Sequence, residues 1–196
     1  MKYLLFGIAV LGILSAALFA QHSGSSDPQP YAGMENREIA SLSDQDVEDL
    51  LAGRGWGLAL PAELNGMPGP THVLELADQL NLSAAQREQT EAIFNAMKAE
   101  AQYIGQQFVD AEAALTAYFV AKQDDETVLQ ALLNQSEELR GQLRFIHLSR
   151  HIEMTAVLSD DQITAYQRLR GYDSDPCENV PDGHDASLWK LHNGCS

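Results

Sequence analysis

Leu82-Ser83-Ala84-Ala85-Gln86 and Leu158-Ser159-Asp160-Asp161-Gln162 share one pattern, Leu-Ser-x-x-Gln. Each precedes an amphipathic segment. The pattern is a capping box: the Ser side chain accepts a free backbone N–H, and the Gln three residues on reaches back to the Ser backbone. A third copy, Leu42-Ser43-Asp44-Gln45-Asp46, has Asp in the reciprocal position. The first two boxes bracket the middle of the chain, and reading outward from them sets the fold.

Ser83 begins a helix predicted to run to Lys122, about 60 Å long if unbroken. Its apolar positions are Ile93, Met97, Ala101, Ile104, Phe108, Ala111, Leu115 and Phe119, spaced by three or four as on one buried helix face. Gln123-Asp124-Asp125 is the turn. Glu126 to Val157 is the return helix, with Leu129, Leu132, Leu139, Leu143, His147, Met154 and Leu158 in its stripe. Ser159 caps a last helix to about Leu169, ended by Gly171. Upstream, Ser43 to Leu51 reads as a short helix and Leu58 to Leu64 as a further turn or two. A helix through Leu80 starts at Pro70 or Thr71, after the break Met67-Pro68-Gly69-Pro70. Period-two runs of β-branched residues are absent. The expected fold is all-α: a long antiparallel helical hairpin with short flanking helices, and an irregular tail over 172–196 from which Trp189 and Leu191 pack back. One partner helix cannot cover the wide stripe on each long helix, so a homodimer is expected.

At the other end, Met1-Lys2 is followed by the apolar run Tyr3 to Ala20, a short positive region with a hydrophobic segment behind it. Residues 1–20 read as a signal peptide or an uncleaved N-terminal anchor, which is the one contact with a membrane the sequence offers. Residues 21–40 read as a polar linker and 41–171 as the helical domain. Both readings of the leader put the rest outside the cytoplasm. The chain carries 28 Asp and Glu against 12 Lys and Arg, a formal net charge of -16. Nucleic acid is excluded as a partner, because its phosphates demand a basic footprint.

The only cysteines, Cys177 and Cys195, lie in the tail. In an oxidising compartment such a pair reads as a disulfide, worth about 3 kcal/mol by loop closure. The alternative adds His184 and His192 for a Cys2His2 metal site, but the spacings match no standard zinc module.

The sharpest chemical feature is Arg144-Phe145-Ile146-His147-Leu148-Ser149-Arg150-His151-Ile152-Glu153-Met154. His147 and His151 project from one helix face, about 6 Å apart. That geometry suits two ligands on one ion, and Met154 adds a thioether on the same side with Glu153 nearby. Histidine with methionine suits copper, nickel or cobalt as well as zinc. The competing reading makes His147 a core residue that continues the stripe from Leu143. If the hairpin turns near Gln123, the two histidines face the Asn95-to-Glu100 region, with Glu91 and Glu100 as distant candidates. The Glu that follows the first His of a metalloprotease helix is missing, as are nucleophile-elbow, phosphate-loop, dinucleotide and CxxC motifs. No enzyme is expected.

The two Leu-Ser-x-x-Gln boxes around a helical hairpin, behind an export signal, resemble the LTXXQ-motif family of bacterial envelope proteins over roughly residues 70 to 170. That family includes Spy/CpxP-type chaperones, periplasmic heavy-metal sensors and zinc-resistance-associated proteins. The resemblance implies a hooked helical hairpin, commonly dimeric, in the periplasm. It implies an envelope-stress or heavy-metal-resistance protein that binds a divalent transition metal (Zn, Cu, Ni or Co) for sensing or sequestration. In the sensors the ion is held by His, Glu and Met. Residue by residue, His147, His151 and Met154 lie at a similar place, and His72 is a further ligand with Glu75 one turn away. The chain departs from the sensors in lacking a His-x3-His pair near its mature N-terminus, and Met154 is three residues after His151 rather than four. The alternative the family offers is an ATP-independent periplasmic chaperone or adaptor, with an envelope signalling protein or unfolded clients as partners. Phe94, Met97, Phe108, Tyr118, Phe119 and Phe145 would be its apolar surface.

Overall fold

The computed structural model describes residues 30–172, 177–181 and 183–195. The expected signal peptide or anchor, 1–20, and the first part of the expected linker, 21–40, lie outside the described residues. The chain divides into two units, Met1–Gly33 and Met34–Ser196. The second unit is all-helical, with no strand among the described residues. Its helices are α1 (Asp44–Leu51), α2 (Leu60–Glu63), α3 (Pro70–Glu75), α4 (Ala84–Val120), α5 (Glu126–Val157), α6 (Asp160–Leu169) and α7 (Ala186–His192). None of them is long and apolar enough to cross a membrane.

The expected hairpin is formed by α4 and α5. Asp125 caps α5 through Thr127 and Val128 N–H, and Tyr118 donates its hydroxyl proton to the Asp125 carbonyl at 3.1 Å. Lys122, at φ 51°, turns the chain left-handed and stops α4 two residues before the sequence predicts. Likewise α3 ends at Glu75 rather than Leu80, because the chain winds through turns to a left-handed Asn81, with φ 51°.

All three capping boxes form. The structure shows why two of them carry Gln: the glutamines bond to each other. Gln86 Nε2 donates to Gln162 Oε1 at 2.7 Å, and Gln162 Nε2 donates to Gln86 Oε1 at 3.1 Å. Each Oε1 also accepts its own Ser N–H, and each Nε2 reaches a carbonyl across the junction, Val157 for Gln86 and Leu80 for Gln162. Every donor and acceptor site of the two amides is thereby used. This clasp holds the start of α4 to the start of α6 and closes the open end of the hairpin.

The apolar residues form two cores. One joins Ile39, Leu42, Leu50 and Leu58 to Met97, Ala101, Phe108, Val109 and Ala111 of α4 and to Leu139, Leu143 and Ile146 of α5. The other, at the clasped end, holds Val73, Leu80, Met154, Leu158 and Tyr166. Gly105 is required where α1 crosses α4, since a Cβ there would sit 2.4 Å from the Leu50 carbonyl oxygen. The expected stripe departs from the structure at its end: Phe119 is 60% exposed and Tyr118 takes the buried place. The long helix rotates its inner face by one residue over its last turns, as a 3.6-residue period does against steps of three and four.

The tail differs from its expected irregularity by containing α7, capped by Asp185 through Ser187 and Leu188 N–H. Leu191 is 71% exposed and does not pack back. Trp189 lies edge-on to His184 at 5.0 Å. Cys177 and Cys195 are disulfide-bonded, with Cα atoms 5.5 Å apart. Both sulfurs are consumed, so the Cys2His2 alternative does not apply.

Candidate functional site

The middle of the hairpin borders a cavity of about 580 Å3. Its walls come from the α1–α2 loop, the start of α3, and the facing turns of α4 and α5. His147 and His151 of α5 line it together with His72 of α3, Glu63 of α2, and Phe94, Met97 and Lys98 of α4. The register expected from a turn near Gln123 holds. Arg150, one residue before His151, bonds both carboxylate oxygens of Glu100, at 2.7 and 2.8 Å, and also pairs with Glu153.

Gly69 and Met67 seat His151. The imidazole Nδ1 lies 2.9 Å from the Met67 carbonyl oxygen. A carbonyl only accepts, so Nδ1 is the donor in this contact. A carbonyl partner behind the ring is the usual way a metal-binding histidine is oriented. A Cβ on Gly69 would lie 2.8 Å from His151 Cε1, so only glycine lets the α3 entry close over this ring.

His147 is 3% exposed, and its Nε2 is buried with no hydrogen-bond partner. Burial, with a smaller push from His151, lowers its pKa to about 4. At neutral pH the ring is uncharged. A buried polar atom left unpaired costs about 1–3 kcal/mol, and such atoms are rare enough to need a reason.

Glu63 closes the cavity on the side of α6. It accepts from Tyr166 Oη at 2.9 Å, Arg170 Nε at 3.0 Å and Tyr172 Oη at 2.7 Å, and lies 3.9 Å from His151 Nδ1. Burial raises its pKa, but the bonds from Tyr172, Tyr166 and Arg170 together outweigh that and hold it below the usual value. Burial pushes the Tyr166 hydroxyl well above its ordinary range. That hydroxyl also accepts from Gly69 N–H at 3.3 Å, linking Glu63 to the turn that covers His151. Glu63 was not singled out from sequence. Its partners lie about a hundred residues away, and the only local sign was an acid in an otherwise apolar helical turn.

Of the expected ligands, the cavity therefore unites His147, His151 and His72. His72 is partly exposed, with Nδ1 2.7 Å from Glu75 Oε2. Met154 is fully buried in the clasped-end core with Val73, Leu158 and Tyr166, and is not among the cavity's lining residues. Glu100 is committed to Arg150, and Glu91 is exposed. Among the described residues, no group of three or more His, Cys, Asp or Glu is arranged to hold a metal ion. The donor set on hand is two imidazoles from one helix face, that of His147 uncharged at neutral pH.

A family model described as heavy-metal resistance matches residues 50–165, more than half of the chain. The matched span runs from the last residues of α1 into α6 and so contains the cavity, both clasp glutamines and the whole hairpin. No curated protein and no solved structure matches.

Proposed function

The chain belongs to the heavy-metal resistance family, and from that premise we propose that it binds a divalent transition-metal ion through His147 and His151, to sense or sequester it in the periplasm. The observation that carries this reading is the unpartnered Nε2 of buried His147 beside a cavity that His151 also lines. A fold that needed His147 only as packing would do better with leucine, which leaves no orphaned nitrogen. An ion supplies the missing partner. Zinc, copper, nickel and cobalt all accept neutral imidazole. Because His147 stays neutral down to about pH 4, protons compete for this donor only in strong acid.

Calorimetric titration of chelator-stripped protein with each of the four ions tests the reading. One ion should bind stoichiometrically to the wild type, and His147→Ala or His151→Ala should weaken it by at least about tenfold, the usual scale for losing a coordinating or orienting group. Equal binding by wild type and the double variant would remove the site.

The second reading, an ATP-independent chaperone or adaptor, is favoured by one observation. A groove on the outer face of the hairpin exposes Tyr103 by 70% and Phe145 by 72%, beside Ile104, Ile146 and Gly141. A Cβ on Gly141 would meet nothing within 4 Å, so packing within the chain does not require this mid-helix glycine. Of the other residues expected on such a surface, Met97, Phe108 and Tyr118 are buried, Phe94 is half-buried against the core, and Phe119 is exposed near the end of α4. The expected homodimer would use the same outer face. Light scattering of an unfolded client separates the two readings: suppression of aggregation that ignores the ion and both histidines but is lost in Phe145→Ser supports the chaperone.

A further inference from the structure

We propose that the groove on the outer face of the hairpin receives α7 of a second copy, so that two chains pair reciprocally, each tail helix lying in the other's groove. This gives the expected homodimer its contact surface and stands apart from the metal reading.

The tail helix buries none of its residues. A helix of seven residues does not hold itself in water. This one is kept by its cap, Asp185, and by the Cys177–Cys195 bridge that closes the loop carrying it. Leu188 and Leu191, three apart and so on one face, are 56% and 71% exposed. The chain thus builds a short helix, secures it covalently, and leaves its apolar face without a partner of its own.

The groove has the matching shape. Tyr103, Ile104, Phe145 and Ile146 line it with Glu138 and Gly141, around a volume of about 560 Å3. From Glu138 to Phe145 it follows about 10 Å of α5, which is the length of a seven-residue helix. Gly141 stands mid-helix, where glycine costs about 1 kcal/mol against alanine. A Cβ there would meet nothing within 4 Å, so its own chain does not need the gap. The side chain of an incoming helix does, because glycine is what lets another element come close to a backbone.

Charge selects the same pair of surfaces. Two chains of net charge -16 repel one another, so copies meet where that charge is lowest or offset. Among the described helices α7 alone contains no Asp or Glu, and it carries Lys190 and His192 in its last turn. The groove presents the carboxylates of Glu100 and Glu138. Arg150 meets Glu100, whereas Glu138 takes a hydrogen bond from Gln142 at 3.3 Å and makes no ion pair among the described residues. The one helix free of acids therefore faces a rim with a carboxylate to spare. A two-fold arrangement fills both grooves with both tails and leaves no open end.

Sedimentation equilibrium of the protein recovered from the cell envelope tests this. Wild type should sediment at twice the mass of one chain. Leu188→Ser combined with Leu191→Ser should sediment as a single chain with its helical circular dichroism unchanged, since neither leucine is buried. Gly141→Leu, at a position where a Cβ meets nothing in its own chain, fills the groove and should halve the mass in the same way. A monomeric wild type overturns the proposal. A dimer that survives in both variants overturns the docking and leaves a homodimer through another surface. Loss of the dimer in only one of the two overturns the pairing of tail with groove.

Discussion

Gln86 and Gln162 satisfy each other completely at the clasped end of the hairpin, whereas His147, about 15 Å further along α5, holds a buried nitrogen that nothing satisfies. The clasp is a half-buried polar feature joining α4 to α6, and His147 is a buried one on α5 between them. The clasp also has a neighbour of its own kind, the Glu63 hub, where one carboxylate takes hydrogen bonds from three side chains. Among the described residues two buried side-chain nitrogens lack a hydrogen-bond partner, His147 Nε2 and Arg150 Nε. Arg150 spends its other two nitrogens on Glu100 and Glu153, whereas the His147 ring has no such commitment and lines a cavity. That contrast is what supports the proposed metal site.

Several substitutions sharpen this contrast, and removing the hub should cost most. Glu63→Ala leaves Tyr166 and Arg170 without their shared acceptor and loosens the turn over His151. We expect a loss of about 3 kcal/mol in chemical denaturation, as for other broken buried pairs, and a weaker metal site as a consequence. A loss under about 1 kcal/mol would mean the hub is decoration.

His147 makes stability depend on pH. Its pKa is about 6.5 in the unfolded chain and about 4 in the folded one. The unfolded state therefore binds a proton that the folded state refuses between those values, and stability falls as pH drops through that window. At about 1.4 kcal/mol per tenfold difference in proton affinity, the loss reaches roughly 3 kcal/mol. Unfolding curves at pH 7 and pH 4.5 should therefore diverge more for wild type than for His147→Leu. Parallel curves would place His147 in contact with water.

The two mid-helix glycines should respond with opposite signs. Gly105→Ala drives a methyl into the Leu50 carbonyl and should destabilise by about 2 kcal/mol. Gly141→Ala meets open space and should stabilise by up to about 1 kcal/mol from helix propensity. Gln86→Ala should cost about 1–2 kcal/mol, since it strands part of the Gln162 amide. A double-mutant cycle with Gln162→Ala should show a favourable coupling, and a coupling near zero would deny the clasp.

Most of the fold was legible because its signals are local. The capping boxes fixed the starts of α1, α4 and α6, and Asp125 fixed the start of α5. Periodicity alone could not tell Tyr118 from Phe119, because that choice depends on where α4 has rotated by its last turn. It also missed α7, a single short capped helix in a Pro- and Gly-bearing tail. In the site, the i, i+4 spacing of His147 and His151 was enough to find the pair. Glu63 and Gly69 were invisible, because their roles exist only once α2, α3 and α6 have met. Met154 looked like a ligand by spacing, but a buried methionine on the inner face of α5 is what the second core needs there.

The central claim, that His147 and His151 hold a metal ion, is tested most directly by the imidazole 15N resonances of the two residues during titration with zinc(II). Before the metal, His151 should show a protonated Nδ1, and His147 should remain neutral at pH 5. On adding one equivalent, Nε2 of both rings should move to metal-bound shifts together, while His184 and His192 stay in place. Unchanged Nε2 resonances at His147 and His151, with zinc bound elsewhere or not at all, would contradict the account.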